Sequence, residues 1–275
     1  MPESIAKERC IAELAVLERV ELPMRFIVIM MLIISGSAFA DGTLTPFTRI
    51  SSVAMGYDIQ YRVYVPVGIQ PGDQLPVMFI TDGPSYIQNG RTPNVLDRLI
   101  RMNKIEPVIV VFVDSRNPDN LFENRRNDEF FCNRYYLAFY IYDLIPVIEK
   151  AYPVQRTREG RSILGVSFGG LNAACFGLLG FDTFSGIAMQ SPANHPVENL
   201  LPAYENEPTR PIKIFLSTGA SRDNSADNRR FRKILKDKGY EMKYMQTDEG
   251  HNWDNWRPLI DDVFLYYYGK DQTGD

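Results

Sequence analysis

The chain has 275 residues, of which 45% are hydrophobic and 23% are charged, and its formal net charge at pH 7 is −4. A chain of this length and composition can bury the core of one α/β domain. Mild acidity without a cluster of basic residues argues against nucleic acid or an anionic membrane surface as a partner.

The first 40 residues predict a segment that is separate from the folded domain. Residues 1–23 are polar and helix-prone. Met24 and Arg25 then lead into the apolar run 26–34, which is followed by Ala38-Phe39-Ala40. A positive residue, a short apolar run and an A-x-A ending are typical of a secretory signal peptide. The run is shorter than the about 20 apolar residues that a membrane-spanning helix needs.

We therefore predict an N-terminal extension with a signal peptide over residues 1–40 and a single domain over residues 41–275. Met24 is a candidate for the true start of the protein. Cleavage after Ala40 predicts a periplasmic or secreted protein with no stable membrane insertion. The alternative is an N-terminal helix that stays in place as an anchor.

Strand patterns recur through the rest of the chain. Two segments of alternating apolar and polar residues, 49–53 and 59–65, predict an antiparallel pair. The continuous apolar runs 76–81 and 107–113 predict strands that are covered on both faces. Further strands are predicted at 161–164, 185–190, 212–217 and 241–246.

Helical spacing of apolar residues predicts the elements between these strands. The predicted helices cover 95–100, 136–152, 171–179, 229–238 and 258–268. Pro146 interrupts the second of them, Gly239 stops the fourth, and Pro258 occupies the first turn of the last. The order of elements predicts an α/β fold, with a mostly parallel sheet, helices on both faces and an antiparallel N-terminal edge.

A serine between two glycines lies where a predicted strand meets a predicted helix, in Gly165-Val166-Ser167-Phe168-Gly169. This pattern is typical of the nucleophile elbow of α/β-hydrolases. The turn would present the Ser167 hydroxyl above the sheet, where the Phe168 N–H and the helix dipole can stabilise an oxyanion. The alternative is a glycine-rich turn with a solvated serine.

The chain offers few candidates for a base and an acid, since it has only two histidines, His195 and His251. His251 fits the order of serine, acid and histidine along α/β-hydrolase chains, so it is the predicted base. His195 is the alternative, and it is also a candidate for the lining of the substrate pocket. Asp223 follows the penultimate strand and is the predicted acid. Asp227 is the reserve acid, or else a helix N-cap.

Three segments together resemble one family: the Ser167 elbow, the loop from Gly219 to Asp223, and Gly250-His251-Asn252-Trp253-Asp254-Asn255-Trp256-Arg257. They are similar to the putative esterase family, which includes the enterochelin esterases, certain feruloyl esterases, S-formylglutathione hydrolases and the antigen 85 mycolyltransferases. The resemblance extends over residues 51–268. It implies an α/β-hydrolase fold, a triad of Ser167, Asp223 and His251, and no metal or organic cofactor.

One segment departs from the family pattern at the predicted oxyanion hole. Residues 75–85 resemble the family's strand and Asp-Gly turn, but the residue after the glycine is Pro84. Proline has no N–H to offer as the second oxyanion donor. Gly83 or Ser85 is the predicted replacement, unless the hole depends mainly on Phe168. The loss of one donor costs about 10²–10³ in rate.

Several other residues leave two interpretations open. Trp253 either stacks on an aromatic acyl group or anchors the last helix, and the second role is favoured for Trp256. Cys132 and Cys175 could pair in an oxidising compartment, but the helix behind the elbow favours a buried free thiol at Cys175. One group of charged residues would form a structural network or contact a polar substrate: Arg116, Glu123, Arg125 and Arg126.

These observations predict a serine carboxylic-ester hydrolase that acts on a small-molecule ester through an acyl-enzyme. Siderophore, feruloyl and other acyl esters all fit this prediction. The alternatives are an acyltransferase with the same triad and a non-catalytic binding module that keeps the fold. The sequence leaves the oligomeric state open.

Overall fold

A nine-stranded sheet runs through residues 41–270, which are the residues that the computed structural model describes. The predicted signal peptide and the residues before it lie outside this range. Two further short strands form a separate hairpin. In chain order the strands are β1 (Thr43–Leu44), β2 (Thr48–Ser52), β3 (Tyr57–Val65), β4 (Val77–Ile80), β5 (Ile109–Asp114), β6 (Arg116–Asn117), β7 (Asn120–Asn124), β8 (Arg161–Val166), β9 (Gly186–Gln190), β10 (Lys213–Gly219) and β11 (Glu241–Thr247).

The sheet confirms the predicted fold class. At its N-terminal edge, β1, β2 and β5 each pair antiparallel with β3. From β5 the order is β5-β4-β8-β9-β10-β11, and all of these pairs are parallel. Because parallel strands end at the same edge of a sheet, the loops after these strands meet there, which is where α/β folds bind their ligands.

Helices cover both faces of the sheet. They are α1 (Gly83–Gln88), α2 (Thr92–Arg101), α3 (Arg126–Phe130), α4 (Arg134–Ala138), α5 (Ile145–Ala151), α6 (Phe168–Leu179), α7 (Leu200–Asn206), α8 (Ser225–Asp237), α9 (Trp253–Trp256) and α10 (Ile260–Tyr268). A π-helical segment, Phe139–Leu144, joins α4 to α5, and a 3₁₀ turn, Arg158–Gly160, precedes β8. None of the helices within residues 41–270 has the length and apolar character needed to cross a membrane.

Side chains of the central strands alternate between two hydrophobic layers. Val77 and Phe79 of β4 pack in one layer with residues of α5 to α8. Met78 and Ile80 pack in the other layer with residues of α1, α2 and α10. Each of these four β4 residues is at most 1% exposed. Burial on both faces therefore explains why β4 is a continuous apolar run.

The predicted interruption of helix 136–152 at Pro146 is confirmed, since Pro146 lies in the first turn of α5 and the chain is π-helical just before it. Proline lacks the N–H that a continuous α-helix would use there. The last helix begins at Ile260, so the prediction that Pro258 opens it is wrong. Pro258 instead lies in the turn between α9 and α10.

A disulfide joins Cys132 to Cys175, so the prediction of a free thiol at Cys175 is wrong. The two residues are 43 positions apart in sequence. Cys132 follows α3, Cys175 lies in α6, and α3 packs against α6. The disulfide thus ties the α3 segment to the helix that follows Ser167.

Candidate active site

Ser167 lies in a sharp turn between β8 and α6. Its backbone has a φ of 58° and a ψ of −119°, a strained conformation for a residue with a Cβ. A Cβ on Gly165 would lie 2.1 Å from the carbonyl oxygen of Gly169, and a Cβ on Gly169 would lie 2.5 Å from Thr81 Oγ1. The Ser167 N–H donates to the Gln190 carbonyl at 2.9 Å. The two glycines therefore allow the close approach that this turn requires.

His251 reaches Ser167 from the loop between β11 and α9. Its Nε2 lies 2.8 Å from Ser167 Oγ, and its Nδ1 lies 2.6 Å from Asp223 Oδ1. Both distances are within hydrogen-bond range. The Asp223 side chain is fully buried, whereas that of His251 is 31% exposed. This arrangement can remove the hydroxyl proton and stabilise the imidazolium ion that results.

Asp223 is surrounded by hydrogen-bond donors. Its Oδ1 also accepts from the Asn224 N–H at 2.8 Å, and its Oδ2 accepts from Ser191 Oγ at 2.6 Å and from the Gly219 N–H. Burial by itself raises the pKa of Asp223, but hydrogen bonds from His251 and these three donors outweigh it and hold the pKa well below its usual range. The carboxylate is therefore ionised at neutral pH.

Ser191 and Asn255 support this arrangement, a role that sequence reasoning missed. The fully buried Ser191 Oγ accepts from Asn255 Nδ2 at 3.2 Å and from Trp256 Nε1 at 2.9 Å. Asn255 Nδ2 also donates at 3.0 Å to the carbonyl of Gly250, which precedes His251. Since Asn255 and Trp256 belong to the same motif as His251, that motif also carries groups that position the histidine.

His195, the alternative base, and Asp227, the reserve acid, lie outside the Ser167–His251–Asp223 arrangement. Asn224 is the N-cap of α8, so Asp227 lies inside the first helical turn and its predicted N-cap role is wrong. Asp227 and His195 both line a separate cavity of about 240 Å³. His195 contacts the ring of Phe168, with 5.8 Å between ring centroids. Neither residue lines the cavity next to Ser167.

A cavity of about 280 Å³ opens beside Ser167 and His251. Its remaining walls are Asp82, Ser85, Asn124, Arg126, Val166, Trp253 and Trp256. Trp253 also packs edge-on against Tyr86 and Trp256, at centroid distances of 5.3 and 5.5 Å, so it both lines the cavity and anchors α9. No group of three or more His, Cys, Asp or Glu side chains within residues 41–270 is arranged to hold a metal ion.

Arg126 and Asp82 form an ion pair in the wall of this cavity. Arg126 Nη2 donates to Asp82 Oδ2 at 2.9 Å, and its Nε lies 2.7 Å from Oδ1. Burial raises the pKa of Asp82, and the guanidinium of Arg126 opposes that rise. The guanidinium also lies over the Phe168 ring, 5.6 Å from its centroid. Neither Asp82 nor Asn124 was predicted as a site residue.

The charged residues predicted to form a network are instead found in separate pairs. Arg125 lies 2.9 Å from Glu123. Arg116 donates to Asp114 through Nε at 2.9 Å and through Nη2 at 2.8 Å. Arg116 also lines a smaller cavity of about 120 Å³, which shares Ser85 with the cavity beside Ser167. Arg116 therefore lies next to the candidate site with its guanidinium already paired.

Ser85 and Gly83, the two candidates for the second oxyanion donor, differ in their surroundings. The Ser85 N–H donates to the Asp82 carbonyl at 2.9 Å, and Ser85 also lines the cavity. Gly83 is buried so closely that a Cβ there would lie 2.6 Å from the carbonyl carbon of Phe112. Ser85 therefore lines the cavity while its N–H is engaged in the first turn of α1.

Two sequence comparisons relate the chain to known proteins. The family described as putative esterase matches residues 52–267. The uncharacterized protein YjcH of Bacillus subtilis (strain 168) is 26% identical over 222 residues, which cover 77% of this chain and 92% of that protein. The family match therefore extends over most of the sheet and all three residues of the Ser167–His251–Asp223 arrangement.

Two solved structures share the fold. A ferulic acid esterase has a TM-score of 0.72 at 19% identity, over 83% of this chain and 99% of that chain. The ferric enterobactin esterase of Salmonella typhimurium has a TM-score of 0.72 at 18% identity, over 82% of this chain but only 58% of that enzyme. At these identities the likeness establishes the fold alone. The family match over residues 52–267 shows that the chain belongs to the putative esterase family and is an esterase with the α/β-hydrolase fold.

Proposed function

We propose that the protein is a serine carboxylic-ester hydrolase in which Ser167 is the nucleophile, His251 the general base and Asp223 the acid. One observation carries this proposal: the hydrogen bonds that run from Ser167 Oγ through the His251 ring to Asp223, at 2.8 and 2.6 Å. A serine hydroxyl is a weak nucleophile until an adjacent base removes its proton. His251 is placed to do so.

The reaction has two stages. His251 Nε2 accepts the Ser167 proton while Oγ attacks the ester carbonyl, and the imidazolium then donates that proton to the departing alcohol. Asp223, which is ionised and bonded to Nδ1, stabilises the imidazolium. Water, activated by His251 in the same way, attacks the acyl-enzyme and releases the acid.

Each stage passes through an oxyanion next to the start of α6. The Phe168 N–H is the first N–H of this 12-residue helix, whose dipole also favours negative charge there. The second donor in this proposal is the Ser85 hydroxyl. It is supported by the place of Ser85 in the cavity wall and by two neighbouring backbone groups that cannot serve: Pro84 has no N–H, and the Ser85 N–H is engaged.

Ser85→Ala is expected to lower kcat about 10²–10³-fold with little change in KM, because the hydroxyl would act on the oxyanion rather than on bound substrate. Ser85→Thr keeps a hydroxyl and is expected to retain most of the activity. Steady-state hydrolysis of p-nitrophenyl acetate measures both variants. Equal kcat values for Ser85→Ala and the wild type would show that Ser85 Oγ is not a donor.

Hydrolysis of a panel of esters by the purified domain identifies the substrate class. The structural neighbours are a ferulic acid esterase and a ferric enterobactin esterase, so feruloyl and siderophore esters are tested first, beside p-nitrophenyl esters. We expect at least one of these esters to be hydrolysed by the wild type, and its turnover to fall about 10⁶-fold in Ser167→Ala. Failure of the purified domain to hydrolyse any ester would contradict the proposal.

We also propose that the domain acts in the periplasm or as a secreted protein. The signal-peptide pattern of residues 24–40 supports export. The Cys132–Cys175 disulfide supports it independently, because disulfides persist in oxidising compartments.

Expression of the full chain in a Gram-negative bacterium is expected to give a periplasmic protein that begins at Asp41 and has no free thiol. N-terminal sequencing of the periplasmic fraction checks the first residue, and the mass after alkylation without reductant checks the thiols. A cytoplasmic protein that keeps residue 1 would contradict export.

A further inference from the structure

A second cavity, of about 240 Å³, lies between the loop after β9 and the first two turns of α8. Leu201, which is 8% exposed, contributes to its apolar floor. Its polar walls are Asn194, His195, Glu198, Asp227 and Arg230. Asp227 and Arg230 are three residues apart on α8, so their side chains lie on the same face of the helix. The cavity therefore combines charged, amide and apolar groups.

Asn194 is the residue that points to a ligand. It is 4% exposed, yet neither its Oδ1 nor its Nδ2 has a hydrogen-bond partner within residues 41–270. A buried amide without partners is destabilising, and most buried polar groups are paired for that reason. A ligand in the cavity would provide this amide with both a donor and an acceptor.

The charged walls restrict what that ligand can be. Glu198, Asp227 and Arg230 are exposed, and no hydrogen bond or ion pair between described residues engages their side chains. Two carboxylates disfavour an anion such as phosphate, and because a guanidinium lies among them the walls do not present the uniformly negative charge that would select an amine. Hydroxyl groups suit all of these walls, because carboxylates accept from them, the guanidinium donates to them, and an amide does both.

The dimensions and the floor agree with a single sugar ring. The volume of about 240 Å³ is below the roughly 300–1,000 Å³ of sites for drug-sized ligands. An apolar floor beside the polar groups can pack against the C–H groups of such a ring. A sugar ring therefore suits both the polar walls and the apolar floor of the cavity.

The Phe168 ring lies near one residue of each cavity. It lies 5.8 Å from the ring of His195 in the second cavity. It also lies 5.6 Å from the guanidinium carbon of Arg126, which lines the cavity beside Ser167. We propose that the second cavity binds a sugar ring of an esterified oligosaccharide, one ring removed from the ester bond. This proposal rests on the ester hydrolysis proposed above.

The test compares p-nitrophenyl acetate with cellobiose acetylated at O6 of its reducing-end ring. Asn194→Leu removes both amide atoms at similar shape, and Arg230→Gln removes the guanidinium. The measured quantity is the kcat/KM for acetylcellobiose divided by the kcat/KM for p-nitrophenyl acetate. Each variant is expected to lower this ratio about tenfold. Arg229→Gln is the matched control, because Arg229 is exposed on the same helix and does not line the cavity. It should leave that ratio constant.

A ratio that stays constant in both cavity variants would overturn the proposal, and Arg230→Gln decides alone if Asn194→Leu does not fold. Binding provides a readout that is independent of catalysis. Cellobiose itself, titrated into Ser167→Ala and followed by NMR, is expected to bind, and Arg230→Gln is expected to weaken that binding. No response to cellobiose overturns the sugar site even where esters are hydrolysed. Cellobiose binding without any ester turnover in the wild type would contradict the proposed function instead.

Discussion

Ser167→Ala is expected to lower kcat about 10⁶-fold without unfolding the domain. The substitution removes Oγ, the proposed nucleophile, while His251 and Asp223 stay in place. The hydroxyl lines the cavity of about 280 Å³, so its removal leaves the hydrophobic core unchanged. Residual turnover would come from the oxyanion donors and from substrate binding.

Two measurements check this result. Hydrolysis of p-nitrophenyl acetate gives kcat, and a fluorophosphonate probe should label the wild type but not Ser167→Ala. Ser51→Ala, which changes an exposed serine of β2, is the control for both. Thermal unfolding of the three proteins should give similar midpoints. Probe that remained on Ser167→Ala would show that another serine is the nucleophile.

Asp223→Asn is expected to lower kcat about 10⁴-fold. An amide at this position can hold His251 in the wrong tautomer, and it no longer stabilises the imidazolium. The variant should also be less stable than the wild type. Both oxygens of Asp223 accept hydrogen bonds, one from Ser191 and Gly219 and the other from His251 and Asn224. In Asp223→Asn the amide NH₂ replaces one of these acceptors, so two donors would face each other without an acceptor between them.

The pH dependence of stability distinguishes the loss of these hydrogen bonds to the carboxylate from a general loss of packing. Because the pKa of Asp223 is lower in the folded protein than in the unfolded chain, the ionised carboxylate stabilises the folded protein at neutral pH. It is lost as pH falls below the ordinary carboxyl pKa of about 4. The difference in Tm between the wild type and Asp223→Asn should therefore narrow as the pH is lowered through this range. A constant difference would contradict this account.

Asp227 provides the comparison for the catalytic effect. It lies four residues after Asp223, in the first turn of α8, and its carboxyl does not contact His251. Asp227→Asn should therefore cost far less than 10⁴-fold in the kcat for p-nitrophenyl acetate. An inactive Asp227→Asn beside an active Asp223→Asn would show that the acid has been assigned to the wrong residue.

The sequence alone determined the features that depend on neighbouring residues. The elbow needs a strand, two glycines around a serine and a helix, and all of these lie within Arg161–Leu179. The β4 run is apolar throughout because both of its faces are buried. Local patterns therefore predicted the parallel sheet and the turn at Ser167.

Tertiary structure decided the contacts between segments that are distant along the chain. Ser167 and His251 are 84 positions apart, Asp82 and Arg126 are 44 apart, and Cys132 and Cys175 are 43 apart. No periodic pattern records such pairs, because each depends on how the loops at the sheet edge and the helices pack. This is why the sequence predicted a free thiol at Cys175 and gave no role to Asp82.

The choice between Asp223 and Asp227 shows this limit most clearly. Both follow β10, and the sequence favours Asp223 for its place in the loop after the penultimate strand, since Asp227 also fits a helix N-cap. The structure separates them because α8 begins at Ser225. Asp223 then lies in the loop, where its carboxylate can turn toward His251 at 2.6 Å, while the helix directs Asp227 into a different cavity. The start of a single helix, which the packing of the whole domain determines, thus places one carboxylate against the histidine and the other away from it.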